Sequence, residues 1–102
     1  MDDRTILEPS DTEDELGDTV FGNDGSCLRG AYNTGDFLGA VRLVDAVAPV
    51  AEELNHHPDV VLGYGRVVFE LSSHDVGGVT ARDVRLALRI QEIADEQGAT
   101  TG

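Results

Sequence analysis

The spacing of apolar positions changes along the chain, and each change marks an element. Phe37, Val41, Val44, Ala48 and Ala51 recur every three or four residues, and Leu38, Ala40, Leu43, Val47 and Leu54 widen the same stripe. That spacing predicts an amphipathic helix. Thr34 or Asp36 can cap its start, and Pro49 should kink it or locally remove a hydrogen bond. It should end near Asn55, because Pro58 disfavours helix in the residue before it. Val60, Val61 and Leu62, then residues 67–71, are apolar, β-branched runs on either side of Gly63-Tyr64-Gly65, which reads as a hairpin. Residues 72–78 read as a loop. Val84, Leu86, Ala87, Leu88, Ile90, Ile93 and Ala94 then predict a last helix over 80–97, capped by Thr80 with Asp83 at its third position and stopped by Gly98.

The first third is less regular. Residues 1–8 are polar and expected to fray, so 1–9 form a tail. Ser10 to Glu13 reads as a capping box, starting a short helix over 11–16. Thr19, Val20 and Phe21 read as a short strand, Asn23-Asp24-Gly25 as a turn, and residues 26–32 as the hairpin partner. The order is α-β-β-α-β-β-α. It predicts one α+β domain over 1–102, with a four-stranded antiparallel sheet and helices packed on one face.

Composition narrows the function. The net charge is −13, and all seven basic residues are arginines without a visible cluster. Such a surface repels phosphate backbones, so no nucleic-acid partner is expected. No apolar run approaches a membrane span. Met1-Asp2-Asp3-Arg4 resembles neither a basic nor an apolar targeting segment, so a cytoplasmic location is expected. Cys27 is the only cysteine, which excludes an intrachain disulfide.

The candidate chemistry lies in the histidines. His56, His57 and His74 are the only three, and they belong to one spaced pattern: Glu52-x3-His56-His57-Pro58-x5-Tyr64-x9-His74-x8-Asp83. Histidine gives and takes protons near neutral pH, so the group points to acid–base chemistry. Glu52 and His56 are four apart and share a face if the helix reaches that far. Hairpin pairing would bring His74 back to the level of His56 and His57. Asp83 can orient a histidine or accept a hydrogen bond from a ligand. The same residue types could bind zinc, but adjacent histidines aim poorly at one ion, and no His-Glu-x-x-His or Cys-x-x-Cys motif is present. No metal is expected. Simpler roles compete: Glu52 and Glu53 as solvated helix charges, Asp83 as a cap, Tyr64 as a sheet residue, Ser72 and Ser73 as backbone partners.

The pattern, together with Leu71-Ser72-Ser73-His74 and Gly78-Val79-Thr80-Ala81-Arg82-Asp83, resembles the signature of the pterin-4a-carbinolamine dehydratases over about residues 37–94. The resemblance implies that family's helix–hairpin–helix–hairpin–helix fold. It implies dehydration of a 4a-hydroxytetrahydropterin, formed when an aromatic amino-acid hydroxylase turns over, to quinonoid dihydropterin in tetrahydrobiopterin recycling. His56, His57 and His74 would be catalytic. Glu52, Tyr64, Ser72, Ser73 and Asp83 would bind the pterin, which is substrate, with no further cofactor. A homodimer or tetramer is implied too. The apolar Leu86, Leu88, Ile90 and Ile93, spread around the last helix, suggest a subunit contact. The first third departs from the family: there is no tryptophan for its Gly-Trp pair, and Leu28-Arg29-Gly30-Ala31-Tyr32-Asn33 replaces its Arg-x-Phe-x-Phe strand. The alternative is a catalytically silent protein-binding or assembly-chaperone module on the same fold.

Overall fold

A computed structural model describes residues 3–102. The elements are α1 (Pro9–Leu16), β1 (Gly22–Asn23), β2 (Leu28–Asn33), α2 (Phe37–Leu54), β3 (Asp59–Gly63), β4 (Arg66–Leu71), α3 (Ala81–Gln97) and β5 (Thr100–Thr101). The expected order and the α+β class hold. The sheet is antiparallel in the order β1-β2-β4-β3, and it has five strands rather than four. After α3 the chain turns at Gly98, in the left-handed conformation that glycine adopts freely, and Thr100 and Thr101 pair with Asn33 and Tyr32.

The core follows from strand periodicity. Along β2, Leu28, Gly30 and Tyr32 are buried while Arg29 and Asn33 are exposed. The register sets Leu28 opposite Leu71, Gly30 opposite Phe69 and Tyr32 opposite Val67, so these side chains share one face. That face meets Ala40, Leu43 and Val47 of α2, and Leu86, Ala87 and Ile90 of α3. Phe21, Tyr32 and Phe69 make consecutive edge-to-face contacts, with ring centroids 6.2 and 6.0 Å apart. The Tyr32 hydroxyl donates to Gln91 Oε1 at 2.7 Å, and the same oxygen accepts Val20 N–H at 3.1 Å. Burial raises the Tyr32 phenol pKa well above its ordinary value.

The first third differs from expectation in three ways. α1 begins at Pro9, with Glu8 as N-cap and Asp11, not Glu13, completing the capping box. Proline suits the first helical position, because its missing N–H would have no partner there. The strand expected over 19–21 is displaced to Gly22–Asn23. The Thr19 hydroxyl donates to Leu16 O and accepts Phe21 N–H, so a side chain takes up the local backbone and Phe21 turns into the core. Of the segment expected to fray, Met1 and Asp2 lie outside the described residues, and the rest is docked. Leu7 N–H donates to Val79 O at 2.7 Å, and Ile6 packs on Gly78.

Two features of the long helices bear on the expectations. α2 runs through Pro49 unbroken. Pro49 and Asp45 are both exposed, so water can take the carbonyl that loses its donor. Of the apolar residues spread around α3, Leu86 and Ile90 are buried, and Leu88 and Ile93 pack partly buried against the core. Large exposed apolar side chains lie instead on α2 and β3, at Phe37, Leu38, Val41, Val60 and Val61.

Gly30 leaves room for Phe21: a Cβ there would lie 2.8 Å from the ring. Gly30→Val should destabilise the fold by about 1–3 kcal/mol through overpacking, measured by urea unfolding. An unchanged midpoint would show that the Phe21 ring is free to move aside.

Candidate active site

The end of α2 sets the site. Asn55 adopts the left-handed conformation (φ 51°, ψ 43°), which asparagine tolerates better than most residues, and its N–H returns to Ala51 O and Glu52 O. His56 N–H also bonds Ala51 O, at 3.0 Å. This turn sends successive side chains apart. His56 goes inward, with its side chain 12% exposed, and its Nε2 lies 2.5 Å from Asp83 Oδ1. His57 goes outward and hydrogen-bonds the Glu52 carboxylate. Glu52 therefore pairs with His57, not with His56 as helical spacing suggests, because the helix ends before the fourth residue.

Asp83 is fully buried. Its Oδ2 accepts the Thr80 N–H at 2.9 Å, closing the cap of α3, and the Ser73 hydroxyl at 2.8 Å. Ser73 Oγ also lies 2.8 Å from Thr80 Oγ1. One carboxylate thus caps a helix, ties down the end of β4 and holds an imidazole. Its place in the first turn of α3 puts negative charge where the helix dipole favours it. Among the described residues, no buried side-chain nitrogen or oxygen lacks a hydrogen-bond partner.

His74 lies beyond β4, in an exposed turn over 74–77 closed by pairing of Ser73 with Gly78. Its ring has no hydrogen-bond partner among the described residues. The three histidines nevertheless line one open cleft with Asn55, Ser72, Ser73, Asp75 and Arg82. Arg82 Nη2 donates to Asp75 Oδ1 at 2.8 Å, and this bond is the main reason the Asp75 carboxyl pKa lies below its ordinary value. A depressed carboxyl pKa means the pair contributes at neutral pH, and that contribution is lost as pH falls through the lowered value.

The other sequence candidates divide. Ser72 is half-buried and lines the cleft. Ser73 is buried, with its hydroxyl engaged by Asp83 and Thr80, so it supports the site from behind. Asp83 has both oxygens engaged and no exposure, and its contact within the site is with His56. Tyr64 is not brought in. It is 79% exposed at the β3–β4 turn, the length of β3 or roughly 16 Å from the histidine end. Arg82, Asp75 and Asn55 were not anticipated. Asn55 carried a signal, an asparagine at a helix end just before His-His-Pro. The seven-residue separation of Asp75 and Arg82 carried none. No group of three or more His, Cys, Asp or Glu side chains suited to a metal ion occurs among the described residues.

The family model described as "Pterin 4 alpha carbinolamine dehydratase" matches residues 7–93. The chain belongs to the pterin carbinolamine dehydratase family. The match extends into the irregular first third, so membership in this dehydratase family does not rest on the histidine segment alone. A protein of Koribacter versatilis named "Putative pterin-4-alpha-carbinolamine dehydratase" is 46% identical over 70 residues, 69% of this chain and 74% of that protein. One of the same name from Sulfurisphaera tokodaii is 41% identical over 69 residues, 68% and 74% of the two chains. Among solved structures, a transcriptional coactivator/pterin dehydratase from Brucella melitensis superposes with a TM-score of 0.80 at 27% identity, covering 88% of this chain and 99% of that one. A pterin dehydratase-like protein described as a RuBisCO assembly factor in the alpha-carboxysome shares the fold, with a TM-score of 0.63 at 21% identity over 76% and 92% of the two chains.

Asp83→Ala should cost about 3 kcal/mol, because it strands the Thr80 N–H and the Ser73 hydroxyl and releases His56. Urea unfolding measures the loss. A change below about 1 kcal/mol would mean that water replaces the carboxylate and that the anchor is dispensable.

Proposed function

We propose that this family member dehydrates a 4a-hydroxytetrahydropterin to quinonoid dihydropterin, with His56 and His74 as base and acid. The observation that carries the reading is the placement of a carboxylate-anchored histidine and an unanchored one on the same cleft. The reaction breaks the C4a–O and N5–H bonds, forms a C4a=N5 double bond and releases water. It needs one group to take the N5 proton and one to protonate the departing hydroxyl.

His56 suits the first task. With Nε2–H donated to Asp83, its Nδ1 is the free acceptor, and the buried carboxylate stabilises the imidazolium that forms. His74, without a competing partner, suits the second. His57, held by Glu52 at the mouth of the cleft, suits contact with the pterin ring. No step calls for a metal or a second cofactor. The names of the relatives support the same substrate class.

His56→Ala and His74→Ala should each lower the dehydration rate roughly 10²-fold or more, while His57→Ala should raise KM at least as much as it lowers kcat. Chelator-treated wild-type protein should keep its activity. Wild-type-like rates in both single variants would sink the assignment. A second reading, a silent protein-binding module, is favoured by the exposed apolar side chains of α2 and β3. It would be selected by wild-type protein that folds and shows no turnover.

We also propose a homodimer or tetramer. β3 pairs on one side only, with β4, and exposes Val60 and Val61, and the start of α2 exposes Phe37, Leu38 and Val41. The charge of −13 opposes association and is screened by salt. Light scattering should show an oligomer that tightens as salt rises. A monomer at both low and high salt would refute it.

A further inference from the structure

The three histidines are held in three different ways. His56 and His57 each have a carboxylate partner, Asp83 and Glu52. The His74 ring has none among the described residues, so only its backbone turn fixes its place in the cleft. That turn is pinned at its base by Ser73 N–H to Gly78 O at 2.8 Å, and internally by Gly77 N–H to Ser73 O at 2.9 Å. Its outer part is held through the side chain of Asp75, the residue after His74. Asp75 accepts from Arg82 Nη2 at 2.8 Å and has Arg4 Nε at 3.8 Å.

Arg82 is itself fixed. Its N–H and its Nε both donate to Thr80 Oγ1, at 3.2 and 3.3 Å, and its side chain is 25% exposed. It therefore reaches Asp75 from the capped first turn of α3, the same turn that carries Asp83. Two consecutive residues of one helical turn thus hold the two halves of the site: Asp83 holds the His56 ring, and Arg82 holds the turn that bears His74.

We propose that Arg82 and Asp75 are positioning residues for His74, acting through this clamp to set its place opposite His56. The inference rests on the acid–base reading above. The clamp touches His74 only through the backbone, so its loss leaves the imidazole present and misplaced. Small displacements of a catalytic group carry large rate penalties, whereas an exposed ion pair adds little to global stability. The clamp should therefore show in turnover and in the His74 environment more than in folding.

The test uses full-length wild type, Asp75→Asn, Asp75→Glu and Arg82→Gln. Each is assayed for carbinolamine dehydration with kcat and KM separated, and by NMR of histidine-labelled protein in which the His56 and His74 ring signals are assigned. Asp75→Asn and Arg82→Gln should lower kcat roughly tenfold with a smaller change in KM, and Asp75→Glu, which keeps the charge, should recover part of the loss. The His74 ring signal should shift in the two disabling variants while that of His56 stays. Unmoved His74 signals, or equal shifts of both histidines, would overturn the proposal. If wild-type protein shows no dehydration, the catalytic reading falls, and the selective His74 shift alone decides whether the clamp exists.

Discussion

A fully buried aspartate is costly unless its charge is neutralised or fully hydrogen-bonded, and everything near Asp83 is arranged to meet that requirement. The Thr80 N–H, the Ser73 hydroxyl and the His56 imidazole supply the donors. They come from the start of α3, the end of β4 and the end of α2. Satisfying one carboxylate therefore fixes the end of α2 against the junction between β4 and α3, a span of 27 residues from His56 to Asp83. The imidazole is one of the satisfying groups, so its orientation is a by-product of folding. A histidine tied in this way cannot be reoriented without exposing an unpaired buried charge, which is why the site can be rigid at the surface of so small a domain.

The arrangement also separates stability from access. Asp83, Ser73 and Thr80 sit behind the cleft, where water does not reach. His57, His74 and Glu52 sit in front, where they do little for the core. The backing residues are the ones whose loss is expected to show in unfolding. Arg82 bridges the two sets: its backbone belongs to the helix cap and its guanidinium belongs to the rim.

Elements with a strong period were legible in the sequence. The stripe from Phe37 and the stripe from Val84 became α2 and α3, and the cap pair Thr80 and Asp83 formed as their spacing implied. The runs around Gly63-Tyr64-Gly65 became β3 and β4. What failed was local competition. Thr19 satisfied nearby backbone groups with its hydroxyl, which ended the expected strand before Gly22. At the site, the spacing of Asp83 and the histidines was readable, but the partner of Glu52 was not. One left-handed residue, Asn55, decides which histidine it meets. Tyr64 belongs to the same spaced pattern yet lies at the far end of its strand, because sequence spacing along a hairpin does not say which end is near.

The chain has two tyrosines and no tryptophan, and their surroundings are opposite. Tyr32 is wholly enclosed between Phe21 and Phe69 with its hydroxyl on Gln91, while Tyr64 stands in solvent on a hairpin tip. Intrinsic ultraviolet fluorescence therefore comes from two emitters in contrasting places. Water-soluble quenchers reach one and not the other, so the protected fraction follows the integrity of the interior without any label. The accessible fraction follows whatever approaches the open edge of the sheet.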